Sequence, residues 1–282
     1  MKKGLLIAII IFLGGCSTKF TYNNLDWLIH WYIDDYVSLS DNQEALFDKY
    51  FADWQSWHRS QELGKYIEHL KSLKADLVSE ELSAAQIEGH LLDSRQHWER
   101  LRDRVSPELA DMAAKLTDEQ VSSLFEELQE ENDDIRESLE EFKEMSPEEQ
   151  AEERLDDMEE GVSEFIGRLN ASQKAIVKGY ASQFTSTRAL WLTYRQDFQQ
   201  AAREMIDNRA ANPTFKQDFV ALMTHPDKFR SDAFIKLRND NTRIYAKMAE
   251  ELFYTLDKKQ KRKLISKIDD MIEDIEYLMS ND

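Results

Sequence analysis

Six histidines, His30, His58, His69, His90, His97 and His225, are the side chains best suited to metal or proton chemistry in this chain. None has a glutamate three residues before it, the spacing by which di-iron bundles hold their ions. There is no His-Glu-x-x-His pair of the zinc-helix kind. His90 and His97 stand two helical turns apart, about 10 Å along an axis, too far to share one ion directly. Asp93 and His97 lie one turn apart, a spacing that ordinarily gives a surface ion pair. Among 55 Asp and Glu side chains no couple stands out as a general acid and base. Phosphate loops and serine elbows need closely spaced glycines, and after position 16 only Gly64, Gly89, Gly161, Gly167 and Gly179 remain. Residue chemistry thus predicts no metal, no cofactor and no catalytic residue. An enzyme is not expected, although scattered residues can converge in three dimensions.

Cys16 is the only cysteine, which rules out an intramolecular disulfide. Before it come Lys2 and Lys3, an apolar run from Leu5 to Leu13, and Gly14 with Gly15. That is the layout of a secretory signal peptide over 1–15, and the run is shorter than the roughly 20 residues that cross a bilayer. "LGGC", Leu13 to Cys16, resembles the lipobox of bacterial lipoproteins. The resemblance implies cleavage before Cys16 and its lipidation, with residues 16–22 as a lipidated terminus and short tether. Ser17 stands where an aspartate typically retains such proteins at the inner membrane, so the resemblance implies anchoring in the outer membrane, facing the periplasm. Stable anchoring takes more than one acyl chain, at roughly 0.8 kcal/mol per buried methylene.

The elements that must position everything else are helices. Apolar residues recur at steps of three and four, as in Leu46, Phe47, Tyr50, Phe51 and Trp54, then Tyr66, Ile67, Leu70, Leu73 and Leu77, and finally Leu264, Ile268, Met271, Ile275 and Leu278. No run alternates in the manner of a strand. The fold class is all-α, an extended multi-helix bundle of amphipathic helices with two lobes. In "LTDEQV", Thr117 can cap a helix, Gln120 can reach back to the amide of Thr117, and Leu116 can meet Val121 across the cap. "LSAAQI" repeats the device with Leu82, Ser83, Gln86 and Ile87. Ser40 with Gln43, Asn170 with Gln173, and Asp257 with Gln260 keep the cap and the glutamine. Ser146–Pro147 and Ser106–Pro107 predict further helix starts, with proline in the first turn.

Leu116 to Gln120 also resembles the leucine–threonine–x–x–glutamine repeats of small helical periplasmic stress proteins, which implies a chaperone-like alternative in which unfolded clients are bound. More broadly, Cys16 to Gln43 resembles the start of a family of Gram-negative helical outer-membrane lipoproteins of unknown function: a lipidated cysteine, a tyrosine–asparagine step, then an aromatic helix ending in Asp-Asp-Tyr. That resemblance implies location and fold and no activity.

The net charge is −19, and 117–160 alone carries 20 acidic against 3 basic side chains. With Val121, Leu124, Phe125, Leu128, Ile135, Leu139 and Phe142 still in helical phase, the stretch predicts an acidic helical hairpin, 117–160, between an N-terminal helical region, 23–116, and a C-terminal one, 161–282. Its outer face is either simply solvated or an attractor for basic clients or for the protein's own basic segment, Lys258 to Lys267. Nucleic acid is excluded on sign. Phe20, Tyr22, Trp27 and Trp31 lie close to the lipid and can rest among headgroups, or pack as core with Trp54 and Trp57. The expected role is a lipid-anchored, non-enzymatic binding or scaffold module. Its partners are the membrane, through the lipid, and an envelope protein. A hydrolase of envelope polymers is the alternative among enzymes.

Overall fold

Many of the helices begin where the capping residues stand. The structure, a computed structural model, describes residues 16–280, with side chains from Lys19 onward. The expected signal peptide and the side chain of Cys16 lie outside the described residues. Helices α1 (Cys16–Asn23) and α2 (Leu25–Asp34) lead into α3 (Asp41–Trp57), a π turn (His58–Glu62) and α4 (Leu63–Val78). There follow α5 (Ala84–Ala113), α6 (Asp118–Glu144), α7 (Pro147–Ile166), α8 (Ala171–Ala181), α9 (Arg188–Asp207) and α10 (Phe215–Thr224). A 3-10 turn (Pro226–Phe229), α11 (Asp232–Tyr254) and α12 (Lys258–Ser280) complete the order. The fold is all-α: every regular element among the described residues is helical. None of these helices is long and apolar enough to cross a membrane.

Gln120 accepts from the Thr117 amide at 2.9 Å while Thr117 accepts from the Gln120 amide. Ser83 with Gln86, Ser146 with Glu149, Asn170 with Gln173 and Asp257 with Gln260 make the same reciprocal pair, which satisfies amides that a helix start leaves bare. The glutamines do more than cap. Gln43 and Gln120 exchange two amide hydrogen bonds, at 2.9 and 2.8 Å, so the starts of α3 and α6 are tied face to face. Gln173 and Gln260 tie α8 to α12 in the same way, at 2.8 and 3.0 Å. Ser106–Pro107 does not start a helix, contrary to the sequence reading. Helix α5 runs through Pro107; the Ser106 hydroxyl donates to the Arg102 carbonyl, and the missing proline amide costs one rung of an otherwise long, well-packed helix.

One apolar cluster joins Ile67, Leu77, Leu82 and Ile87 with Ala246, Phe253, Ile268 and Ile272, so N-terminal and C-terminal helices share a core. Helix α5 is the spine: Ile87 sits in that cluster, Ala110 and Ala113 in a second with α6, α9 and α10, and Met112 in a third with Phe47 and Trp54. The acidic stretch breaks at Met145–Ser146 as expected, yet α6 and α7 do not pack along one another as a hairpin. The apolar stripe of α6 faces α9 and α10, and that of α7 joins Val177, Met248 and Leu252. Each stripe has a better partner than a second acidic helix. The basic start of α12 meets the C-terminal end of α7, where Lys263 and Lys267 donate to the carbonyls of Ser163 and Glu164, cations on the negative end of a helix. Helix α1 meets α12 through Lys19 and Asp274, 2.9 Å apart, with the Asp274 side chain nearly buried.

Candidate functional site

A polar seam runs where the π turn, α4 and α5 meet. The wide turn brings His58 and Glu62 into line with Tyr66, His69 and Asp76 further along the rod, and such turns are frequent at functional positions. Helix α5 answers with His90, Asp93, His97 and Arg100. The link between α4 and α5 is short, so the two run antiparallel. Asp76 and His90 stand equally far from Ser83, as do His69 and His97, and both couples meet.

From the N-terminal end, Tyr22 Oη lies 3.0 Å from His58 Nδ1, and His58 Nε2 lies 3.1 Å from Tyr66 Oη. The Tyr66 ring meets His97 edge-on, centroids 4.5 Å apart. His97 Nε2 is 3.1 Å from His69 Nδ1, the rings of His69 and His90 stack at 5.3 Å, and His90 Nε2 is 2.9 Å from Asp76 Oδ2. Four of the six histidines thus form one file. Beside it, Glu62 is fully buried, accepting from Arg100 Nε at 2.9 Å and from Lys65 Nζ. Arg100 also donates through Nη2 to His97 Nδ1.

Burial dominates the electrostatics. It holds His58 down at about 4 against the pull of Glu62. It lowers His69, helped by His90, and lowers His97, helped by Arg100 and His69. Burial also pushes Tyr66 up to about 12, with Glu62 adding to it. For Glu62, burial acts upward, but the hydrogen bonds from Lys65 and Arg100 outweigh it and its carboxyl lies below the usual range. The seam therefore sets the imidazoles of His58, His69 and His97, held towards their neutral form, beside a buried carboxylate that stays ionised.

One ligand atom each from His69, His90 and Asp93 lies within 4.8 Å of the other two. His69 Nε2 and His90 Nδ1 are both buried and, among the described residues, have no hydrogen-bond partner. The sequence reading did not bring these three residues together. It rested on spacing within single helices, whereas His69 comes from the neighbouring one. Two surface depressions among the described residues, one beside the 226–229 turn and one beside Gln43 and Gln120, are not lined by histidine.

Residues 35–234 match the model of a family described as a family of unknown function, DUF6279. The chain belongs to DUF6279. The matched span of this DUF6279 chain holds the whole seam except Tyr22. No curated protein and no solved structure is significantly similar to it. Of the residues expected near a membrane, Phe20, Trp27 and Trp31 are 68%, 65% and 43% exposed. Tyr22 instead turns inward to His58. Leu82 and Leu116 pack in apolar clusters beside their caps. The seam itself was missed. Its signal was a pair of polar stripes at helical spacing on either side of one short link.

Proposed function

We propose that this DUF6279 chain is a lipid-anchored periplasmic protein of the outer membrane that acts as a non-enzymatic binding or scaffold module of the cell envelope. The observation that carries the reading is the arrangement at its N-terminal end. Phe20, Trp27 and Trp31 are exposed within 15 residues of Cys16, on helices that follow it without a linker. An acylated Cys16 would hold those rings at headgroup depth, where amphipathic aromatics are favoured, and the rest of the bundle would stand directly above. The glutamines of the capped repeats are engaged with one another at helix junctions, which supports a rigid body over a client-binding cradle.

Cys16→Ser tests the anchor. The variant is expected to leave the membrane fraction and to lose the lipid mass on its N-terminal peptide; retention in the outer membrane at the parental level would defeat the reading. Crosslinking in intact envelopes should capture a defined folded partner, whereas suppression of aggregation of an unfolded client would favour the chaperone-like alternative.

A further inference from the structure

We propose that His69, His90 and Asp93 form a binding site for a divalent transition metal, with Zn2+ as its ion and water at the open position. The inference does not depend on where the chain is anchored. Two imidazoles and one carboxylate suit zinc and its neighbours and not magnesium or calcium, which take oxygen ligands. The two buried ring nitrogens without partners, His69 Nε2 and His90 Nδ1, are the ligating atoms. Each ring is held from behind at its other nitrogen, His90 by Asp76 at 2.9 Å and His69 by His97 at 3.1 Å. A carboxylate or second base on the far nitrogen is the usual way a protein fixes the orientation of a metal-binding histidine. Asp93 is exposed, one turn after His90 on α5, and gives the ion a route in from solvent.

Two adjustments accompany binding. Tetrahedral zinc with bonds of about 2.0–2.1 Å needs ligand atoms about 3.3 Å apart, so the group, now spread over up to 4.8 Å, must close. The exposed Asp93 can swing to do so. Ligation through His69 Nε2 also requires the His69 proton on Nδ1, donated to His97 Nε2. His97 then carries its proton on Nδ1, and the Arg100 Nη2 contact at that atom opens while Arg100 Nε keeps Glu62. The protons are rearranged and none is lost. Without metal the same nitrogens stay unsatisfied inside the protein, which is unfavourable for a buried polar group.

The test is equilibrium dialysis of the full chain, purified without a histidine tag and stripped with chelator, against Zn2+ in excess Mg2+. One saturable zinc per chain is expected. Asp93→Asn, which changes an exposed side chain, and His90→Gln should each weaken it by about 10-fold or more, and Asp76→Asn, acting from behind His90, by about 10-fold. His225→Ala, outside the seam, should leave it unchanged. Melting without metal checks that each variant is folded. Loading with Co2+ gives a second readout: the intense visible bands of a low-coordinate site should appear in the parent and vanish in Asp93→Asn. Absence of saturable binding, or parental affinity in both Asp93→Asn and His90→Gln, would overturn the site.

Discussion

Glu62 is a carboxylate with no exposed surface, held by one lysine and one arginine. Removing one partner of such a group leaves the other charges poorly compensated, and Glu62→Ala should cost roughly 3 kcal/mol in chemical denaturation. A loss under about 1 kcal/mol would mean that Lys65 and Arg100 hydrate themselves at no penalty. His58 makes stability depend on pH. Its ordinary value of 6.5 falls to about 4 in the folded chain, so between those values the unfolded chain binds the extra proton. The His58 contribution is therefore complete above pH 6.5 and is lost as pH falls towards 4, on the order of 3 kcal/mol in all. Urea midpoints across that window should fall, and His58→Gln, which can still bond Tyr22 and Tyr66, should flatten its share of the slope. Glu62 adds a further loss below its ordinary value of 4.5, since its folded carboxyl is lowered overall. At this scale the caps were legible: Thr117 and Gln120 are three residues apart and meet whatever the rest of the chain does. His69 and His97 were not, because their contact exists only once α4 and α5 lie side by side.

Between elements, the paired glutamines act as rivets. Gln173 is fully buried and also donates to the Thr255 carbonyl, while Gln260 donates to that of Arg168. Gln173→Ala should cost about 1–3 kcal/mol by leaving its partners unsatisfied. A double-mutant cycle with Gln260→Ala should give a coupling of about 1 kcal/mol or more; additive losses would show that each glutamine serves its own cap alone. The starts of these four paired helices could each be read from five letters. Which two starts would meet could not, although the recurrence of one pattern at both members of each pair was a visible hint. The acidic stretch taught the opposite lesson. Its helices and its break were legible from spacing and from Ser146–Pro147, but an apolar stripe does not name the stripe it will face, and α6 and α7 chose other neighbours.

For the whole molecule, the helical class follows from periodicity, whereas the interleaving of the two ends follows from packing that periodicity does not encode. The exposed aromatics near Cys16 make a prediction at this scale. If the anchored reading proposed above holds, the Cys16→Ser chain should still float with zwitterionic liposomes to a measurable extent, and Trp27→Ala with Trp31→Ala should reduce that fraction several-fold. Equal flotation of the two proteins would remove the rings from the interface. The 20 carboxylates of 117–160 are repelled by anionic headgroups, so replacing part of the lipid with an anionic one should weaken flotation, and added salt should restore it.

The shared core of Ile67 and Ile268 sets a clock on biogenesis. At about 5–20 residues per second a ribosome needs some 10–40 seconds to travel from one to the other. For that interval α4 and the start of α5 have emerged while the side chains that cover them have not yet been made. A chain part-way through synthesis therefore cannot close this core, and the apolar faces of the early helices are the surfaces that stay uncovered in the meantime.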